Sequence, residues 1–264
     1  MEPTQIRFDD GVAYERYMGA WSQRAGGAFL EWLAPAGGLR WLDVGCGNGA
    51  FTELLIERYA PAAVQGIDPS AAQLDYARRR FPPEVAAFEQ GDAMALPWAA
   101  ATFDAAVMPL VIFFVPEPAA GVAEMARVVA PGGIVAAYAW DMPGGGFPYA
   151  AVQAALRELG APVPSAPSPE ASRLDVMGEL WAGAGLEEIE TRPIAVTRTF
   201  ADFDDYWATI LGGPSVSGSL AALEPADLAR IQARLRAELP ADEQGRITTS
   251  ARANAVRGRV PRAS

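Results

Sequence analysis

Short, almost continuously apolar runs alternate along the first half of this chain with stretches whose apolar residues recur every three or four positions. The runs Arg40–Val44, Ala63–Ile67, Val85–Glu89, Asp104–Met108 and Ile134–Ala139 are expected strands. Ala50–Tyr59, Ala71–Arg80 and Glu117–Val129 carry the helical period between them. Ser70 or Asp68 is placed to cap the helix that starts at Ala71, and Ala130-Pro131-Gly132-Gly133 ends the helix after Glu117. Strands this apolar, alternating with helices, predict an α/β fold with a parallel sheet covered on both faces.

Ahead of the first strand, Tyr14, Tyr17, Met18, Trp21, Phe29, Leu30 and Leu33 suggest one or two amphipathic helices interrupted near Gly26-Gly27. The second half is less regular. Tyr149–Leu159 and Ala171–Ala182 read as helices joined by the proline-rich stretch Ala161–Pro169. Leu186–Phe200 reads as a strand that Pro193 confines to a sheet edge or a bulge. Asp202–Leu211 and Pro225–Leu239 are helical, the latter with Leu228, Ile231, Leu235 and Leu239 on one face. Gly245–Val256 alternates as a last strand.

Composition narrows the chemistry. The chain has 264 residues, 51% of them hydrophobic, enough to bury a full core. Its net charge of −11 disfavours nucleic acid as a partner. All 21 basic residues are Arg and there is no His, so no imidazole base and no Schiff-base lysine is available. The single cysteine, Cys46, excludes an internal disulfide and a thiolate metal cluster, and no metal is expected. Met1–Asp10 does not read as a signal peptide, and the longest apolar run, Ala105–Val115, is too short to span a bilayer, so a cytoplasmic protein without membrane association is expected.

The chemistry concentrates at Trp41–Thr52. An apolar strand carrying Asp43 runs into Gly45, Cys46, Gly47 and Gly49, and a helix follows. Glycines allow positive φ and close approach of a ligand, and the amides of the helix start are expected to face whatever occupies the turn. The spacing is Gly-x-Gly-x-Gly rather than the G-x-G-x-x-G of dinucleotide sites, and a carboxylate below the loop suits an ammonium better than a pyrophosphate. Asp68 ends the second strand, where a carboxylate can accept both hydroxyls of a ribose. Asp92 ends the third, where it can accept from an adenine amino group while the Ala93 amide donates to the ring; its other reading is a plain turn cap. An amino-acid end, a ribose and an adenine without phosphate describe S-adenosylmethionine (SAM).

The segments Leu42-Asp43-Val44-Gly45-Cys46-Gly47-Asn48-Gly49, Gly66-Ile67-Asp68-Pro69-Ser70, Gly91-Asp92-Ala93 and Glu124–Gly133 together resemble the class I SAM-dependent methyltransferases. The last segment is similar to the E-x-x-R-V-L-x-P-G-G pattern of the methyltransferase type 11, ubiquinone/menaquinone-like branch. The resemblance is strong over Arg40–Asp141 and looser elsewhere, including Tyr14–Ser22. It implies a Rossmann-like seven-stranded sheet of order 3-2-1-4-5-7-6 with strand 7 antiparallel. Leu186–Phe200 would then be strand 6 and Gly245–Val256 strand 7. It implies one domain over 1–264, with a core at about 25–200 and 244–260 and a lid from about 10–24 and 201–243 over the substrate.

The implied cofactor residues are Asp43, Gly45, Cys46, Gly47, Gly49, Asp68, Pro69, Gln73, Asp92, Ala93 and Met108, with Tyr17 and Trp21 closing over the methionine end of SAM or serving as core anchors instead. Tyr14, Phe113, Trp140, Tyr206 and Trp207 are the substrate-lining candidates. Relatives often carry a His after the fourth strand, where this chain has Ile112, Phe113 and Phe114, so no catalytic base is identified. The expected activity is methyl transfer from SAM to a small apolar or aromatic acceptor, releasing S-adenosylhomocysteine, by alignment and exclusion of water. A SAM-binding cyclisation or rearrangement and a nucleotide-dependent oxidoreductase are the alternatives. Monomer and homodimer are both compatible. Arg246, Arg252, Arg257, Arg259 and Arg262 could form a local basic patch.

Overall fold

The computed structural model describes residues 15–213 and 216–262. One sheet is built from β1 (Arg40–Val44), β2 (Ala63–Asp68), β3 (Ala86–Gln90), β4 (Phe103–Pro109), β5 (Val129–Trp140), β6 (Glu187–Phe200) and β7 (Ile247–Arg259). Its seven strands stand in the order β3-β2-β1-β4-β5-β7-β6. β1 pairs in parallel with β2 and β4, so that Leu42 lies between Gln65 and Ala106. β7 is antiparallel to β5, Tyr138 opposite Ala255. The fold class expected from the strand–helix alternation is the one observed, and β6, with Pro193, stands at the edge.

The helices are α1 (Ala20–Leu33), α2 (Ala50–Tyr59), α3 (Ala71–Arg80), α4 (Pro118–Val128), α5 (Ala150–Glu158), α6 (Leu174–Gly183), α7 (Phe203–Leu211), α8 (Ser217–Ala221) and α9 (Pro225–Glu238). Three expectations change. α1 runs unbroken through Gly26-Gly27, and the irregular part is a π-helical turn at Glu15–Gly19. Gly26 serves packing, because a Cβ there would come within 3.0 Å of the Leu54 side chain and the Tyr138 hydroxyl. β5 begins at Val129 and includes Pro131-Gly132-Gly133, which the sequence placed in a turn. A Cβ on Gly133 would lie 2.6 Å from the Asp104 carbonyl, so β4 and β5 close together there only over a glycine. α8 was not anticipated; at five residues it is too short for a period to show.

The chain divides into two compact units. The sheet unit comprises Ser22–Gly144, Ala166–Ile194 and the described residues from Ala253. Phe29, Phe51 and Tyr138 pack ring to ring in it, with Phe29 and Tyr138 centroids 4.7 Å apart. Burying side chains of this size contributes about 2–3 kcal/mol each. Trp181 donates Nε1–H to the Val135 carbonyl at 2.8 Å and thereby ties α6 to β5. The Glu124–Arg127 part of the sequence pattern is a staple. Glu124 accepts from the Leu96 amide, Arg127 donates to the Leu96 and Trp98 carbonyls, and the two side chains pair with each other. It holds the loop ahead of β4.

The second unit comprises the described residues up to Trp21, with Gly145–Ser165 and Ala195–Arg252. Its core is aromatic. Tyr17 stacks on Tyr149 at 4.2 Å, and Tyr206 meets Phe200 edge-on at 5.1 Å. α9 packs on α5 through buried Ile231 and Leu235, while Leu228 and Leu239, expected on the same face, are half-buried. Asp202 caps α7 by accepting from the Asp205 amide at 2.8 Å.

Candidate functional site

The carboxyl ends of β1, β2, β3 and β4 bring together Asp43 with the glycine loop, Asp68, Asp92 and the segment after Met108. In an open parallel sheet this is the edge where ligands bind. The loop after β1 is held by β2: the Gly45 and Cys46 amides both donate to the Ile67 carbonyl, at 2.7 and 3.1 Å. The Gly47 amide donates to Asp68 Oδ2 at 3.0 Å, and the Gly49 amide to the Cys46 carbonyl at 2.9 Å. Ala50 donates to its neighbour Asn48 through Oδ1. The sequence led us to expect amides facing a ligand; five of them, from Gly45, Cys46, Gly47, Gly49 and Ala50, bond within the protein instead.

What the loop offers is a carboxylate. Asp43 is fully buried, and its Oδ2 accepts the Thr52 hydroxyl at 2.7 Å while Oδ1 has no partner. Burial pushes the Asp43 carboxyl up to about 7; the nearby Asp68 charge adds to this and the Thr52 hydroxyl opposes it. An acceptor of this kind is relieved by a proton, by a hydrogen-bond donor and most strongly by a cation. Asp68 is half-buried, its Oδ1 accepting from Ser70 at 2.8 Å and its Oδ2 from Gly47. Each carboxylate oxygen has a second lone pair, so ribose hydroxyls remain within its capacity.

Asp92 is exposed and its Oδ1 accepts from the Met94 amide at 2.9 Å, so it caps its turn while keeping capacity to accept from an adenine amino group. Ala93 lies between the two residues of that turn. The Pro69 carbonyl accepts from Gln90 at 3.0 Å, and Gln73 follows it in the first turn of α3, its amide donating to the Ser70 cap. Cys46 is buried with its sulfur against Gly66, and burial beside Asp43 and Asp68 pushes its thiol far above the usual range. Such a thiol is an inert packing group. Met108 is buried, its Cε beside Gly121 of α4.

This arrangement fits SAM on observations of the protein alone. A buried unpartnered carboxylate oxygen suits an ammonium and would repel a pyrophosphate, and a Cβ added at Gly47 would meet no atom closer than Gln73 Oε1 at 3.9 Å, so this glycine of the loop borders open space.

Comparison with known proteins agrees. Residues 42–137 match the family model described as a methyltransferase domain. That stretch of the chain is similar to a methyltransferase domain. It is 42% identical over 106 residues to a trans-aconitate 2-methyltransferase of Methylobacterium nodulans, a match covering 39% of this chain and 38% of that protein. It is 36% identical over 121 residues to an uncharacterized methyltransferase of Mycobacterium bovis, covering 46% of each. The match thus spans less than half the length of either curated relative. A phosphoethanolamine N-methyltransferase of Haemonchus contortus, solved with phosphomonomethylethanolamine and S-adenosylhomocysteine, shares the fold at a TM-score of 0.60 and 17% identity, over 95% of this chain and 57% of that one. The sequence's resemblance to the class I SAM-dependent methyltransferases holds over the matched residues.

The remaining candidates are placed as follows. Phe113 is buried in a 3-10 turn, Ile112–Phe114, that follows β4, and its carbonyl accepts from Ser168 at 3.0 Å. Trp140 is buried at the end of β5, and Asp141 accepts from the Gly144 amide. Tyr17, Trp21, Tyr206 and Trp207 lie in the second unit and are buried. Trp21 donates to the Tyr149 hydroxyl, which donates to the Tyr17 carbonyl at 2.7 Å, so Tyr17 and Trp21 are bound into one cluster as core anchors. Burial pushes the Tyr149 phenol up to about 12 and the Tyr206 phenol higher still. Tyr14 lies outside the described residues. The basic patch is not formed by Arg246, Arg257 and Arg259, which are ion-paired with Asp242, Glu190 and Glu188.

Sequence reasoning missed Thr52, Leu110 and Val111. A Cβ on Gly45 would come within 2.4 Å of Val111, so Val111 is what requires that glycine. Leu110 sits at φ +59°, a left-handed position unusual for leucine, directly after β4. A buried Thr on the helix turn after Asp43 was visible in the sequence; the packing of Val111 on Gly45 was not.

Proposed function

We propose that this protein transfers a methyl group from SAM to a small, largely apolar or aromatic acceptor. The observation that supports it most is the Asp43 carboxylate, buried and with one oxygen unpartnered, beneath a loop whose Gly45, Cys46, Gly47 and Gly49 amides bond within the protein. In this reading Asp43 accepts from the SAM ammonium, directly or through water, and Asp68 accepts from the ribose hydroxyls. Asp92 and Ala93 hold the adenine edge, and Gly45, Cys46, Gly47, Gly49, Pro69, Gln73 and Met108 border the cofactor. Bound SAM supplies a methyl on a positively charged sulfur, an electrophile that needs no activation by an acid. The chain's own residues then have to bind, orient and exclude water.

That division of labour suits a protein without His or Lys whose buried Tyr149 and Tyr206 phenols are held protonated. We further propose that residues 10–24 and 201–243 act as a lid, with Tyr17 and Trp21 as its core anchors and Phe113, Trp140, Tyr206 and Trp207 lining the acceptor side. Limited proteolysis with and without S-adenosylhomocysteine tests the lid: unchanged cleavage within 201–243 overturns it. Isothermal titration with SAM, S-adenosylhomocysteine and NADH tests the cofactor. Binding of the first two without the third is expected, and NADH binding without SAM binding overturns the proposal. Formation of S-adenosylhomocysteine in the presence of an acceptor tests transfer itself, and conversion of the acceptor without it would point to SAM-assisted cyclisation.

A further inference from the structure

Among the described residues, three buried side-chain polar atoms lack a partner: Trp41 Nε1, Asp43 Oδ1 and Thr249 Oγ1. Only the second belongs to a group that can carry charge. A carboxylate with both oxygens free could rotate about χ2 and spread its charge over either one. In this chain it cannot, because Thr52 Oγ1 donates to Oδ2 at 2.7 Å from a site that is itself fully buried. Thr52 stands in the first turn of α2, and α2 starts at the glycine loop. Loop, helix and strand therefore meet in a single hydrogen bond between side chains nine residues apart.

We propose that Thr52 is a positioning residue for the cofactor site: its hydroxyl locks the Asp43 carboxylate so that the unpartnered Oδ1 is held in place to accept the ammonium of the bound amino-acid group. The inference rests on the reading of Asp43 as a SAM ligand. It assigns Thr52 two effects. The first is orientation, since the acceptor is fixed before the ligand arrives and loses little freedom on binding. The second is electrostatic, since a hydroxyl donating to the carboxylate favours its charged form against the burial that disfavours it. The titratable groups that bear on Asp43 are Asp68 at the end of β2 and Cys46 in the loop. On the other side, Val107 of β4 pairs with Asp43 in the sheet, and its neighbours Ala106 and Met108 carry no charge.

Thr52→Val keeps the shape and removes the donor, whereas Thr52→Ser keeps the donor. The affinity for SAM and S-adenosylhomocysteine is measured by calorimetry from pH 5.5 to 8.5, with Tm recorded alongside. Thr52→Ser is expected to bind as the native protein does. Thr52→Val is expected to bind about tenfold more weakly at neutral pH, the scale of one hydrogen bond to a charged group. Its affinity should also need a higher pH to reach its plateau, because Asp43 gives up its proton later. A residue that only stabilised the fold would lower Tm and leave that pH midpoint in place. Thr52→Val with native affinity and a native midpoint overturns the inference; should that variant not fold, Thr52→Ala is measured in its place by the same criteria. Asp43→Asn separates the two claims. If it binds both ligands as the native protein does, the Asp43 reading itself fails; if it weakens binding while Thr52→Val does not, only the role of Thr52 fails.

Discussion

The Gly47 amide donates to Asp68 Oδ2 at 3.0 Å, so the loop after β1 and the acid at the end of β2 form one unit rather than two neighbouring motifs. Asp68 is a structural acceptor and a candidate ribose acceptor at once. Asp68→Asn leaves one carbonyl oxygen for donors that now use two, and its amide cannot accept from either. We expect a loss of about 1–3 kcal/mol in stability, from one buried or half-buried N–H left without a partner. A fall in S-adenosylhomocysteine affinity of tenfold or more is expected with it. Chemical denaturation and calorimetry on one preparation check both, and unchanged affinity would remove Asp68 from the site.

Two glycines of one loop should respond differently to alanine. Gly45 has φ +75° and a Cβ there collides with Val111. Gly45→Ala is expected to cost about 2–4 kcal/mol, left-handed strain plus overpacking. Adding Val111→Ala should recover part of that loss, because the two side chains contend for one space. Gly47 has φ +52° with open space before it. Gly47→Ala should therefore cost only the strain, about 1–2 kcal/mol, while weakening cofactor binding by tenfold or more. Thermal melts with and without S-adenosylhomocysteine distinguish the two variants.

Asp43 makes stability depend on pH in a direction opposite to that of an ordinary salt-bridged acid. Its carboxyl is raised from 3.8 to about 7, so the folded protein holds the proton more tightly than the unfolded chain does. The stability it contributes is full below the unfolded value near pH 4 and is lost as pH rises to about 7, on the order of 4 kcal/mol in all. Asp43→Asn carries no such charge. Its Tm relative to the native protein should thus be higher at pH 8 than at pH 5.5. Saturating SAM should narrow that gap by stabilising the native carboxylate. Scanning fluorimetry across this pH range checks the sign.

Tyr206 is too strongly held in its protonated form to serve as a base near neutrality. Tyr206→Phe keeps the ring packed against Phe200 and Phe203. Once an acceptor is known, turnover should stay within about threefold of the native rate, as alignment without proton transfer requires. A loss of a hundredfold with SAM binding intact would assign Tyr206 a chemical role and end the pure-proximity account.

Arg127 should matter for stability and not for the cofactor. Arg127→Ala removes donors to the Leu96 and Trp98 carbonyls and to Glu124, all partly exposed, so about 1–2 kcal/mol is expected. Urea denaturation should show this loss with S-adenosylhomocysteine affinity unchanged within about twofold, the scale of a substitution remote from the ligand.

What could be read from the chain alone was whatever local chemistry decides. The apolar run Arg40–Val44, the glycines at 45, 47 and 49, the cap at Ser70 and the helix Ala50–Tyr59 each follow from residues adjacent in sequence, and each stands where it was expected. The sheet order came with the resemblance, since pairing between distant strands leaves no local trace. Tertiary structure decided the rest, because it turns on atoms brought together from far along the chain. Val111 makes Gly45 obligatory, Ile67 and Asp68 take the Gly45, Cys46 and Gly47 amides, and the close approach of Asp104 and Val129 requires a glycine at 133. Tyr149 binds Tyr17 and Trp21 across more than a hundred residues of sequence, which no periodicity could reveal. The acid at position 43 was legible as a candidate from its place before the glycines. That it is buried, raised and left with one free oxygen depends on how completely the fold removes water from it, and only the packed structure settles that.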